Sequence, residues 1–248
     1  MNIILLLIIL IYQSIMSVMD MRDMKRLKNT EITEKFRIKF YIESIIWGWI
    51  PTGIVCMFVI FTPLSFQEIG LRKITLSDSV WLNSITLLVS VVITIALLYQ
   101  VIMYFTSEKY RQQVLEELRK QKESSNHYES IMTIVLPRSL KEKKYFFFVS
   151  LTAGICEEFV WRGCLIFLLT DIFPALHMVV IIIMSCLLFG LFHCYQGLYG
   201  VIKTGIIAIL FIFIYLTTAS LVLGMLLHFM FDFSSAFLIR EEGEAITD

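Results

Sequence analysis

The sequence predicts an all-α fold, a polytopic membrane bundle of about seven transmembrane helices, and three observations carry that reading. Of the 248 residues 58% are hydrophobic and only 17% charged, and the mean hydropathy of +0.78 lies well above that of a water-soluble domain. The apolar residues are gathered into runs near the length that crosses a bilayer. The charges fall between those runs, with Lys and Arg concentrated in two connecting segments, as expected where loops stay on the cytoplasmic side. The formal net charge is zero, so nothing indicates a nucleic-acid partner, and the lipid bilayer is the first partner implied.

The first run, Ile3 to Met19, is just long enough to span. Nothing basic precedes it and no small-x-small site follows it, so an uncleaved helix is expected and not a signal peptide. Arg22, Lys25, Arg26, Lys28, Lys35, Arg37 and Lys39 then make a basic segment able to lie on the membrane surface; the positive-inside rule makes it cytoplasmic and puts the N-terminus outside. A second span from Phe40 to Phe61 carries Glu43 near its start and Pro51 as a kink site. After an outer loop from Pro63 to Asp78, the third span runs from Ser79 to Phe105. Its Asn83, Ser84, Thr86, Ser90 and Thr94 are expected to hydrogen-bond between helices. Ser107 to Lys144 form the second cytoplasmic segment, with helical patterning over Tyr110 to Lys122 and a break at Glu123 to Tyr128; its charge run reads as a solvated helix.

Four more spans follow: Tyr145 to Leu169, Met178 to His193, Val201 to Leu216 and Ala219 to Ile239. No internal repeat is evident, which speaks against an inverted-repeat transporter. The five cysteines have no C-x-x-C spacing and read as small buried hydrophobes.

Ionisable residues inside the last four spans need an explanation, because each costs several kcal/mol in hydrocarbon unless it is paired or used. The fourth span carries Cys156-Glu157-Glu158-Phe159-Val160-Trp161-Arg162-Gly163. At 3.6 residues per turn Glu158 and Arg162 share a face, while Glu157 lies about 100° round the helix. A buried ion pair that orients helices would account for Glu158 and Arg162 but not for Glu157. Three rows at i+4 spacing then appear: Ser150, Gly154, Glu158, Arg162; Ser185, Phe189, His193, Gly197; and Ser220, Gly224, His228, Asp232. Small residues let helices approach closely, so the charged ends of these rows are expected to face one another. By helical rise Glu157 lies about 18 Å from one face and His228 about 15 Å from the other, both near the midplane. His193 falls nearer the cytoplasmic edge, and a cavity open to the cytoplasm would join the three.

Glu157-Glu158-x-x-x-Arg162, then Phe189-x-x-x-His193, then His228-x-x-x-Asp232, on successive apolar helices, resemble the CPBP family, the CAAX-protease and bacteriocin-processing or Abi family. Glu68-Ile69-Gly70-Leu71-Arg72 and Leu136-Pro137-Arg138 look like its flanking signatures. The resemblance is good from Leu136 to Phe237 and weak before that. It divides the chain into N-terminal membrane helices over residues 1–135, a four-helix catalytic core over 136–240 and a short cytoplasmic tail over 241–248.

The resemblance implies an intramembrane endopeptidase acting on a membrane-associated peptide or lipidated protein, in bacteria for peptide processing or bacteriocin self-immunity. Glu157 would then be the general base, Arg162 would hold Glu158 ionised, and His193 would orient the water and relay a proton. His228 would donate to the oxyanion, and Asp232 would orient His228 or bind substrate. Phe189 and Gln196 are candidates for substrate contact. No cofactor is favoured, although Glu157, His193 and His228 are conceivable zinc ligands. His127 and His177 read as solvated loop residues. Two other classes remain open: a non-catalytic membrane partner of a sensor or enzyme, and a proton-coupled carrier using the same residues as a relay.

Overall fold

The computed structural model describes residues 1–27, 32–124 and 135–238; the predicted tail, His127 and most of the expected break after Glu123 lie outside them. Among the described residues all regular structure is helical. The N-terminal part comprises α1 (Asn2–Leu27), α2 (Glu34–Ile60), α3 (Val80–Thr106) and α4 (Glu108–Ser124). The C-terminal part begins with α5 (Leu140–Glu157), which runs unbroken through a π-helical segment (Glu158–Leu165) into α6 (Ile166–Ile172). Then come α7 (Met178–Phe192), α8 (Gly197–Thr218) and α9 (Val222–Ser234). Each of the predicted spans corresponds to helix. Four segments, Asn2–Arg26, Glu34–Ile60, Val80–Thr106 and Cys194–Thr218, are long and apolar enough to cross a bilayer alone, while Met178–Phe192 and Val222–Phe237 are shorter apolar helices.

Local chemistry sets the helix starts. Thr33 accepts from the Phe36 amide before α2, and Ser79 accepts from the Leu82 amide before α3. Ser139 and Glu142 form a reciprocal capping box at the start of α5, which satisfies two otherwise orphaned groups. α5 is the central helix, packed between α2 and α9, while α7 lies on α8 and α3 on α8 and α9. α1 packs over α6 and the turn after α7. The π segment occupies the middle of the core: Phe159, Val160, Trp161, Cys164 and Leu165 pack with Leu5 and Ile9 of α1, Val55 and Val59 of α2, and Ile181 of α7. Large apolar side chains such as Leu87, Leu88 and Ile95 of α3 are exposed, as expected of a surface turned to lipid.

The predicted hydrogen bonds of α3 form only in part. Thr86 meets Thr217 of α8 at 2.8 Å, an interhelix contact. Ser90 and Thr94 instead bond the carbonyls of Thr86 and Ser90 one turn back, the local alternative open to any helical hydroxyl. Asn83 folds back onto Ser77, and Ser84 is exposed. The five cysteines are free, and Cys156, Cys164 and Cys186 are buried. His177 is exposed and caps α7 by accepting from the Val179 amide.

The loop between α2 and α3 is clamped onto the core. Leu221 N donates to Gly70 O, Ser220 Oγ to Arg72 O and Thr75 N to Thr218 O. Gly70 has φ +90°, a conformation a side chain would strain. Gly163 is needed for another reason: a Cβ there would collide with the Ile69 carbonyl.

Candidate active site

The site grows from the contact between α5 and α9. A Cβ on Gly154 would lie 2.8 Å from both Met225 O and Phe229 N, and one on Gly224 would lie 3.3 Å from Glu158 Oε2. Two of the predicted small-residue rows therefore meet, and their close approach lets His228 reach across to α5. His228 Nδ1 lies 2.9 Å from Glu158 Oε1. Its Nε2 lies 3.5 Å from Asp232 Oδ2 and 3.9 Å from Glu157 Oε2. The ring stacks on Phe211 with centroids 5.0 Å apart. Three carboxylates thus surround one imidazole. They differ in access: the Glu157 and Asp232 side chains are 32% and 31% exposed, the Glu158 side chain 1%.

At Glu158 the helix widens to π geometry, which spreads the backbone so that each amide reaches the fifth preceding carbonyl, and such turns recur at functional sites. The regular 3.6-residue period expected for this span is broken here. All eight residues of the segment are buried. Arg162 still reaches Glu158, with Nη1 3.3 Å from Oε1. Its guanidinium is held over the Phe189 ring at 4.2 Å and near Phe211 at 5.4 Å, geometry that attracts a cation to an aromatic face. Among the described residues, none of the three Arg162 nitrogens and not Glu158 Oε2 has a hydrogen-bond partner. Glu158 is therefore shared: Arg162 touches it, and His228 takes the hydrogen bond.

His193 follows the last residue of α7, half-buried, with Nδ1 2.7 Å from Phe189 O. That contact leaves its Nε2 edge for other partners. Phe189, 4% exposed, packs its ring on His193 at 4.5 Å and edge-on to Trp161 at 5.4 Å. Gln196 closes the turn that Gly197, at φ +76°, makes possible, and donates from Nε2 to Tyr195 Oη at 3.1 Å. Glu157, Arg162, Phe189, His193, Gln196, His228 and Asp232 all line one cavity of about 720 Å³. Direct polar contact joins Glu157, Glu158, Arg162, His228 and Asp232. His193 shares the cavity wall with them but makes no polar contact with them among the described residues.

The conceivable zinc ligands do not converge. Among the described residues no group of three His, Cys, Asp or Glu is placed to hold a metal ion as it stands; Nδ1 of each histidine is engaged, by Phe189 O and by Glu158, which leaves the Nε2 edges open.

Three cavity residues escape a reading of the sequence. Tyr195, whose ring lies 5.8 Å from that of His193, depends on a tight turn that the sequence signals only through Gly197. Phe211 lies mid-run in an apolar helix without any marker. Asp20 lines the cavity because α1 continues past Met19; a carboxylate directly after an apolar run was the available signal.

Residues 141–234 match the family model described as Rce1-like, Type II CAAX prenyl endopeptidase Rce1-like. No curated protein and no solved structure matches the chain. The matched segment begins in the first turn of α5 and ends with α9, so it contains every residue of the cluster around His228.

Proposed function

We propose, from a chain whose residues 141–234 match the Rce1-like family model of a peptide-bond hydrolase, that it cleaves a small membrane-associated peptide or membrane-protein tail with a water activated by Glu157. The observation that carries this reading is the gathering of Glu157, Glu158 and Asp232 around His228 within a cavity also lined by His193. Hydrolysis needs a base for water, a donor for the oxyanion and a proton for the leaving amine. Glu157, the more open carboxylate of its pair, takes the proton from water as hydroxide adds to the scissile carbonyl. The carbonyl π electrons pass to oxygen. His228, protonated on both nitrogens with Nδ1 on Glu158, donates from Nε2 to that oxyanion. Collapse breaks the C–N bond, and the proton held by Glu157 passes to the amine, with the free edge of His193 as its relay. The products are a carboxylic acid and an amine, which exchange a proton to leave as carboxylate and ammonium, and the enzyme is restored.

Asp232 keeps the Nε2 edge of His228 oriented, and Arg162 balances the charge of Glu158. Among biological roles, bacterial peptide processing or bacteriocin self-immunity from the cytoplasmic side is the reading we favour. A liposome assay tests the chemistry. Wild type, Glu157→Ala and His193→Ala are compared on anchored peptides, lipidated and not, with and without phenanthroline. Cleavage lost in both variants and indifferent to the chelator is the expected result. Loss on chelation with recovery on adding zinc overturns the metal-free route. Equal behaviour of wild type and folded variants on every peptide favours a non-catalytic membrane partner instead.

A further inference from the structure

α1 lies outside the family match, yet it forms a wall of the same cavity. Cys194, next to His193, contacts Ser17 Oγ at 3.2 Å and Met21 Sδ at 3.6 Å, which ties α1 to the turn that follows the histidine. On the adjoining face of α1, Met16, Met19, Asp20 and Met24 line the cavity together with Tyr195 and Gln196. Their spacing puts the four α1 residues on one side of the helix.

The carboxylates of the cavity wall are not alike. Glu157 and Asp232 face His228, Asp23 pairs with Arg26 at 3.7 Å, and Glu43 pairs with Lys39 at 3.6 Å. Asp20, half-buried, has no hydrogen bond or ion pair among the described residues. A carboxylate within a membrane-spanning helix and without a partner is where a cationic ligand group gains most. A second observation points to a ligand running through this space. Ser150, 1% exposed and lining the cavity, has an unpartnered hydroxyl. It sits two turns from Glu157 on the same face of α5, about 10.5 Å along the axis, the span of about three extended peptide residues.

We propose that Asp20, with Tyr195 and Gln196 beside it and Met16, Met19 and Met24 around it, is a substrate subsite for a lysine or arginine side chain within a few residues of the scissile bond. The carboxylate meets the charge. The Tyr195 ring and the phenol oxygen border it, and the flexible thioethers cover the aliphatic stem, a use for which methionine is suited. The specificity of the core is thereby set partly by a helix outside it. This inference rests on the cavity being the peptide cleft of the protease proposed above.

The test uses the full chain in liposomes and a fluorescent membrane-anchored model peptide in which a single lysine is scanned through the segment next to the anchor, each version paired with its norleucine isostere. Both dissociation constant and cleavage rate are read. At one position wild type should bind lysine about tenfold more tightly than norleucine, the size of one partly screened charge pair. Asp20→Asn should bring that ratio near one, and Asp20→Lys should invert it in favour of a glutamate peptide, a gain that a misfolded variant cannot produce. Asp23→Asn should keep the lysine preference. Wild type indifferent to the charge at every position, or Asp20→Asn retaining the preference, overturns the subsite. Cleavage without a charge preference leaves the protease reading standing and removes the subsite; a preference dependent on Asp20 without any cleavage does the reverse.

Discussion

α5 and its π extension carry two buried acid–base pairs, and the way each is satisfied separates architecture from chemistry. At the helix start Glu142, fully buried, accepts from Arg37 Nε at 2.7 Å, from the Arg138 amide at 2.6 Å and from the Ser139 amide at 3.0 Å. Both of its oxygens are used. Less than five turns on, Glu158 meets Arg162 at 3.3 Å and accepts its hydrogen bond from His228, while its second oxygen and all three guanidinium nitrogens have no hydrogen-bond partner among the described residues. A saturated pair joins α2 to α5 and offsets the cost of removing charge from water. An unsaturated pair holds unspent electrostatic capacity beside two accessible carboxylates. Burial of charge alone therefore does not set a site apart; what distinguishes the cluster around Glu158 is incomplete satisfaction next to accessible carboxylates.

The sharpest way to break this contrast is a pair of substitutions one helix apart in consequence. Glu142→Ala leaves Arg37 buried without its partner and should cost about 3–5 kcal/mol of stability, read as a large fall in the thermal unfolding midpoint in detergent. Glu157→Ala removes a side chain already a third exposed, and should leave the midpoint near wild type while cleavage falls by about 10²–10⁴-fold. If Glu157→Ala proves as unstable as Glu142→Ala, the division into structural and catalytic carboxylates is wrong.

An intermediate effect is expected where the two helices touch. Gly154→Ala drives a methyl into Met225 O and Phe229 N, and overpacking of this kind costs about 1–3 kcal/mol. Because α9 must retreat to accept it, His228 withdraws from Glu158, and activity should fall further than stability does. Gly53→Ala is the control: a Cβ there meets nothing within 4 Å, so removing glycine from the interior of α2 should stabilise by about 0.5–1 kcal/mol without touching cleavage. Equal effects from the two glycines would mean that the α5–α9 approach does not position the histidine.

Much of this was legible in the chain itself. Apolar runs located the helices because a bilayer demands length and leaves charge no cheap place. The rows ending in Arg162 and in Asp232 foretold a meeting of helices, and Gly154 and Gly224 make that meeting. What stayed hidden depends on exact path. The π turn that begins at Glu158 leaves no periodic signature, since its apolar residues are buried on every side. The division of labour at Glu158, touched by Arg162 but bonded to His228, is a tertiary fact that i+4 spacing cannot express. Asp20 was hidden by the length of α1, and Tyr195 by a turn at Gly197.

The smallest expected effect concerns a third carboxylate, satisfied like Glu142 but standing in water. Glu68 accepts from Ser65 N and Ser65 Oγ, both at 2.8 Å, and these bonds to the charged form hold its carboxyl below the usual glutamate value. A carboxyl lowered on folding adds stability that is fully present above its unfolded value and is lost as pH falls through the lower folded value. Glu68→Gln should therefore reduce the unfolding midpoint slightly at neutral pH, and the gap from wild type should close on acidification below about pH 4. The turn it braces carries Ile69, whose carbonyl rests against Gly163 in the π segment, so the small loss reports on how firmly that segment is clamped from outside. A gap independent of pH would show that the Ser65–Glu68 turn contributes nothing through its charge, and the clamp would then rest on the bonds made at Gly70, Arg72 and Thr75.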